Sequence, residues 1–203
     1  MKYLAIDTSN KSLNIAVNNG DKTFIYRDEN CGVKHSEEVM VRTEELLVNS
    51  GISLSDLDFI ACVVGAGSFT GIRIGVSTVK ALCFASKKPF LTITSFDTIA
   101  YNKPIGKVLA VINAGHDGFY VCGYQDSKVV LQPCFILKPE LLNLKENYEL
   151  LSFESIANLG VEVVNPANGL VCAVENKKDC LEYNLDLLVP LYVRKSQAEE
   201  GRP

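Results

Sequence analysis

The sequence predicts an α/β protein made of two lobes that share one topology, the second lobe reduced. Three observations carry this. Apolar segments of strand length alternate with segments of helical period, the pattern of helices packed on mixed sheets. The order of elements in the first half restarts in the second half. The chain has 203 residues, enough for two small lobes of roughly 100 residues each. The expected division is residues 1–103 and 104–203, with the tail of the second span returning to pack on the first.

Each element follows from local pattern. Residues 3–8 are apolar and enter a polar turn at Ser9-Asn10-Lys11. Residues 13–17 alternate apolar with small or polar side chains. Asn18-Asn19-Gly20-Asp21 signals a hairpin, because Asn and Gly tolerate the positive φ of such turns. Residues 23–26 return as a third strand. A helix follows. Ser36 is placed to cap it, and Glu37 and Glu38 lie at the positive end of its dipole. Met40, Thr43, Leu46 and Leu47 recur at helical spacing, and Gly51 stops the helix. Ser53-Leu54-Ser55-Asp56 reads as a small capping box. Residues 59–64 form an apolar strand of the buried, parallel kind. A glycine-rich turn then leads into a helix over 71–86, whose apolar face is Ile72, Val76, Val79 and Cys83. Pro89 ends it, residues 90–93 form a strand, and Ser95 opens a short helix to Tyr101.

The pattern then restarts. Residues 107–113 are a strand, Asp117-Gly118 marks a turn, and 119–124 and 129–137 are two more strands separated by Asp126-Ser127-Lys128. Pro139 sits near the start of a helix through Leu144. Residues 148–153 read as a strand, and weaker elements lie at 154–159, 161–164 and 170–174. Three meandering strands followed by alternating helices and strands is the ribonuclease-H-like pattern. Two such units in one chain describe the actin, sugar-kinase and chaperone-ATPase superfamily.

Composition removes other classes. Hydrophobic residues make up 47 % and charged residues 22 %, as in folded soluble proteins. Net charge is −4, with 10 basic and 11 acidic residues before position 101 and 10 and 13 after it. Neither half has the basic surplus that grips nucleic acid or an anionic membrane. No run reaches about 18 apolar residues, so no membrane span is expected. Asp7 comes too early for a signal peptide, and the expected location is the cytoplasm. The seven cysteines show no CxxC spacing. Most sit in apolar runs, where a cysteine is a small core residue.

Few residues are placed for chemistry. Asp7-Thr8-Ser9 ends the first strand. In a two-lobed ATPase that turn points amides and hydroxyls at nucleotide phosphates, and a carboxylate there can hold a metal through water. The competing reading, weightier for the motif alone, is an Asx/ST turn in which Asp7 caps its own backbone. Asp7, Thr8 and Ser9 are therefore weak nucleotide-binding candidates. The stretch Gly65-Ala66-Gly67-Ser68-Phe69-Thr70-Gly71-Ile72-Arg73-Ile74-Gly75 lies between a strand and a helix, where an anion can sit. It lacks the Gly-Lys-Ser/Thr of a Walker loop and the spacing of a dinucleotide fingerprint. Phosphate cradling and close helix packing remain as readings, the latter through Gly71, Gly75 and Ala81. Arg73 opposes the dipole in the first turn, which points to a specific anionic partner. Only two histidines occur, His35 and His116. The position on the same helical face as His35, four residues on, is Val39, so a two-histidine metal site is not expected.

Four segments together resemble the TsaB (YeaZ) family. They are Tyr3-Leu4-Ala5-Ile6-Asp7-Thr8-Ser9, Lys34-His35-Ser36-Glu37, residues 57–75 with the glycine-rich stretch, and Pro190-Leu191-Tyr192-Val193-Arg194. Ala66 departs from the family's usual proline. The resemblance covers the whole chain and implies a scaffold, not a catalyst. Such proteins look like a degenerate copy of TsaD, which transfers a threonylcarbamoyl group to adenosine 37 of tRNAs and carries a metal-binding HxxxH on the equivalent helix. Here that motif reads His35-Ser36-Glu37-Glu38-Val39, without the second histidine.

The resemblance further implies a heterodimer with a TsaD-like subunit, a homodimer when alone, recruitment of a TsaE-like ATPase, and only indirect contact with tRNA. It implies no cofactor bound by the isolated chain, with ATP or ADP in the complex. The docking surface is carried over to two helices. On 36–49 and its entry the candidates are His35, Ser36, Val39, Met40, Thr43 and Leu47. On 71–86 and its entry they are Phe69, Thr70, Arg73, Ile74, Gly75, Ser77, Thr78 and Ala81. Bulky replacement of Gly75 or Ala81 is expected to impair association more than folding. The alternative is an autonomous ATP- or metal-dependent enzyme of the same superfamily, a kinase or metallopeptidase.

Overall fold

Uninterrupted apolar and β-branched runs become strands, and the first three lie side by side because their connections are short. The computed structural model describes residues 1–194. The first sheet contains β1 (Lys2–Asp7), β2 (Leu13–Asn19), β3 (Thr23–Asp28), β4 (Phe59–Val63) and β5 (Phe90–Ile93), in the order β3-β2-β1-β4-β5. The meander is antiparallel, and β4 and β5 add in parallel. The second sheet contains β6 (Lys107–Gly115), β7 (Gly118–Gln125), β8 (Lys128–Leu137), β9 (Glu149–Ser152) and β10 (Glu162–Val163). Its order, β10-β9-β6-β7-β8, repeats the first sheet strand for strand, with the same parallel and antiparallel pairings. This is the repeated two-lobe α/β arrangement that the element order predicts. Residues 195–203, the end of the span expected for the second lobe, lie outside the described residues.

Among the described residues five α-helices lie between or after these strands: α1 (His35–Ser50), α2 (Phe69–Ser86), α3 (Ser95–Ala100), α4 (Lys138–Lys145) and α5 (Pro166–Lys177). Two starts differ from expectation. A 3-10 turn at Gly32–Lys34 runs straight into α1, so Lys34 occupies the cap position and Ser36 lies inside the helix. Helix α2 begins at Phe69, where the Ser68 hydroxyl accepts from the Gly71 amide. Helix α3 opens at Ser95 as expected, with Thr94 as its cap in a reciprocal pair with Asp97. Gly51 does close α1, in the left-handed region at φ 71°. The box at Ser53 and Asp56 forms as read. Of the weak elements, 154–159 is irregular, 161–164 holds the two-residue β10, and 170–174 lies within α5.

Strand alternation decides which face each residue covers. Leu4, Ile6, Ile60 and Cys62 face Val39, Leu46, Ile72, Val76, Val79 and Cys83 of α1 and α2. Tyr3, Ala5, Phe59, Ala61 and Val63 face the opposite way, onto Leu170, Ala173 and Val174 of α5. Helix α3 follows the first sheet but packs on the second, placing Phe96, Ile99 and Ala100 against Val108, Ala110, Tyr124 and Leu151. The lobes thus exchange helices: α5 comes from the second half and completes the first sheet. The two helices cross so closely that a Cβ on Gly169 would lie 1.7 Å from the Thr98 carbonyl oxygen. Asp97, nearly buried at the crossing, accepts from the Tyr124 hydroxyl at 3.0 Å and pairs with Lys177 at 2.8 Å.

Cys31, Cys62, Cys83 and Cys122 are buried and reduced, as core residues. Burial pushes the thiols of Cys83 and Cys122 up to about 12 and raises Cys62 further, so these groups stay protonated and unreactive. After α5 the chain returns to the first lobe. Glu182 bridges Phe90 at the edge of β5, and Leu188 is fully buried.

Candidate functional site

Two regions of the first lobe hold the residues that the sequence singles out. One is the junction of β1 with the glycine-rich loop. Asp7, Thr8 and Ser9 are all fully buried. The Asp7 carboxylate accepts from the Ser9 amide at 2.8 Å and the Ser9 hydroxyl at 2.6 Å, which is the Asx/ST turn. Burial raises the Asp7 carboxyl above its ordinary value, although the Ser9 hydrogen bonds oppose this. The Thr8 hydroxyl donates to the Gly71 carbonyl at 2.7 Å, and the Ser9 carbonyl accepts from the Ser68 amide at 2.8 Å. These groups fasten the loop to the strand. The nucleotide reading for Asp7 and Thr8 is thereby corrected, since their polar atoms are spent on the protein itself.

The glycines explain why the fastening is so close. A Cβ on Gly71 would lie 2.1 Å from the Thr8 carbonyl oxygen, and one on Gly75 would lie 2.5 Å from the Thr8 hydroxyl. Gly75 is buried and faces its own strand. It is not a partner-facing residue, and the expectation that bulk there would spare the fold is corrected.

The second region is the outer surface of α1 and α2. Three candidates on α1 turn inward. His35 is buried, with Nδ1 against the Gly32 carbonyl and Nε2 3.3 Å from the Ser12 carbonyl oxygen. Val39 lies in the core, and buried Thr43 donates to the Val39 carbonyl at 2.7 Å. These three therefore also leave the surface list. Ser36, Met40, Thr70, Arg73, Ser77 and Ala81 are exposed, while Leu47, Phe69, Ile74 and Thr78 are half-buried. Among the described residues, Arg73 meets a phenol: its Nε donates to the Tyr192 hydroxyl at 2.8 Å. Sequence reasoning missed Val41, Val48 and Phe84, which are 50, 71 and 67 % exposed. Their signal was available, since apolar residues off the buried helical period have no core to join.

Between the sheets lies a cleft of about 1450 Å³. Ser9, Asn10 and Lys11 line one side with Gly67 and Phe69, and Tyr120 and Phe135 line the other. Of the three nucleotide candidates only Ser9 reaches it. No group of three histidine, cysteine or carboxylate side chains is placed to hold a metal among the described residues. No helix of the described residues is long and apolar enough to cross a membrane.

Residues 29–174 match the family model described as TsaD: tRNA N6-adenosine threonylcarbamoyltransferase. Over 162 residues the chain is 30 % identical to the tRNA threonylcarbamoyladenosine biosynthesis protein TsaB of Escherichia coli, covering 76 % of this chain and 69 % of that one. The chain belongs to the TsaB (YeaZ) family. The Bacillus subtilis TsaB is 35 % identical over 102 residues, half of this chain and 44 % of its own length. The solved structure of YeaZ from Pseudomonas aeruginosa superposes with a TM-score of 0.74 over 94 % of this chain and 99 % of that chain. At 21 % identity this likeness speaks for the fold.

Proposed function

We propose that this chain is the non-catalytic scaffold subunit of the complex that forms threonylcarbamoyladenosine at position 37 of tRNAs. It binds and activates a TsaD-like catalytic subunit through the outer surface of α1 and α2, and it helps to recruit a TsaE-like ATPase. Alone it pairs with a second copy through the same surface. The isolated chain binds no cofactor, and ATP or ADP enters with the complex.

One observation carries this reading. On the helix where the catalytic relatives place a metal-binding HxxxH, His35 is turned onto two backbone carbonyls and the next position on its face is the core residue Val39. With Val39 in the core the helix lacks a second histidine ligand, and its exposed outer surface is what it offers a partner. That surface exposes Met40 and Val48 on α1 and Ala81 and Phe84 on α2. The acidic balance of the chain supports leaving tRNA to the partners.

Size-exclusion chromatography with a TsaD-like subunit, with and without nucleotide, tests the proposal. A complex that restores threonylcarbamoyl transfer supports it. No complex in the presence of nucleotide overturns it. The cleft keeps the autonomous-enzyme alternative in view, and calorimetry showing tight ATP or metal binding by the isolated chain would favour that alternative.

A further inference from the structure

Pro190-Leu191-Tyr192-Val193-Arg194 has no part in the function proposed above, yet its last four residues together touch both lobes beside the cleft. The Leu191 amide donates to the Val64 carbonyl at 2.7 Å, continuing the end of β4. The Leu191 side chain packs against the core on the α1/α2 face and also against the inner face of the second sheet. Its carbonyl lies where a Cβ on Gly65 would approach to 2.8 Å, so only glycine lets the segment pass there. The Tyr192 ring stacks on Phe69 at 4.9 Å between centroids, and its hydroxyl accepts from Arg73. Val193 joins the inner core of the second sheet. The Arg194 guanidinium sits over Phe135 of β8 at 4.6 Å from the ring centre. The other side of the loop is held as well, since the Ser95 amide donates to the Gly65 carbonyl at 2.6 Å.

We infer that residues 190–194 are a strap across the cleft that couples the first turn of α2 to β8. Tyr192 fastens it to the first lobe and Arg194 to the second. A movement that widens the cleft must pull on Phe69 and Arg73, and a partner that shifts the α2 surface must pull on β8. The coupling runs through a contiguous chain of packed and hydrogen-bonded groups, which have to be repacked together. The strap is defined in the isolated chain. Only its use by a partner rests on the docking role proposed above.

Native-state hydrogen exchange on the full chain tests this, in wild type and in Tyr192→Ala, Tyr192→Phe and Arg194→Ala. Loss of either fastener is expected to speed exchange about tenfold at Gly71 and Ile72 and also at residues 134–136 of β8. The amides of β1 should stay unchanged. Tyr192→Phe keeps the ring stack and should give a smaller effect of the same two-site kind. Changes confined to the contact that each variant removes would overturn the strap. Should Tyr192→Ala loosen the β1 amides as well, the Tyr192→Phe and Arg194→Ala chains decide by the same two-site criterion. Adding the TsaD-like subunit should then slow exchange at 134–136 in wild type, and in Arg194→Ala the complex should form without that protection. If no complex forms, the docking role fails alone, because the isolated-chain measurement still reads the strap.

Discussion

The two sheets have one strand order, but they are covered very differently. The connection from β3 to β4 carries the 16-residue α1, and the one from β4 to β5 carries the 18-residue α2. In the second lobe α4 has 8 residues, and no helix connects β9 to β10. Loop side chains of Ile156 and Leu159 join Leu141 there to cover Leu109 and Val111. A short helix and one irregular segment therefore suffice to cover a sheet face. The long helices of the first lobe do more than a core requires, because each also keeps an outer surface. The lesson is that the surplus helix surface, not the sheet, distinguishes the lobe proposed to meet partners.

The sharpest way to break this comparison is at the helix exchange that joins the lobes. Gly169→Leu drives a side chain into the Thr98 backbone, and a loss of about 3 kcal/mol or more is expected, measured by urea denaturation. Both sheets should unfold together. If the first sheet alone melts, the exchange does not tie the lobes. Gly75→Leu should follow, at roughly 2–3 kcal/mol from overpacking against Thr8. Preserved stability with lost self-association would return Gly75 to the partner surface. Lys177→Met leaves the nearly buried Asp97 with fewer partners, and about 2 kcal/mol is expected by the same measurement.

Asp7 gives a smaller effect with a definite sign. Burial raises its carboxyl in the folded chain, so ionisation favours the unfolded state. Wild-type stability should fall as pH rises from the unfolded carboxyl range, about 3.9, through the higher folded value. The Asp7→Asn chain should lack that fall. It should be the more stable chain at neutral pH, and the gap should close on acidification. An unchanged gap across that range would mean that Asp7 is not destabilised by burial. Least of all, Phe84→Asp should change stability by no more than about 0.5 kcal/mol, as exposed substitutions do. It should still abolish association with a TsaD-like subunit in chromatography. An intact complex would separate Phe84 from the docking surface.

Local pattern made most of the first lobe legible. Ile72, Val76, Val79 and Cys83 read as one helical face and form one. The hairpin residues and Gly51 acted through their own backbone preferences. Two helix starts were harder: the 3-10 turn before α1 leaves Ser36 inside that helix, and Ser68 caps α2 three residues before Gly71. The second lobe was less legible for a physical reason. Its short helix and irregular cover have no sustained period, and 170–174 belongs to a helix whose apolar side answers the other sheet.

The sequence by itself determined the order of elements along the chain, the two-lobe repeat and the absence of a second histidine beside His35. These depend on residue type and spacing along the chain. Only the tertiary structure decided which way each candidate points. Gly75 and Ala81 are both small and lie on one helix, yet one touches Thr8 and the other faces outward. A helical period says that a face exists, but what lies against that face comes from segments far away in the chain. Asp7 divides the same way: its Asx/ST turn is local and legible, whereas its burial and raised carboxyl are set by the loop and helices that close over the end of β1.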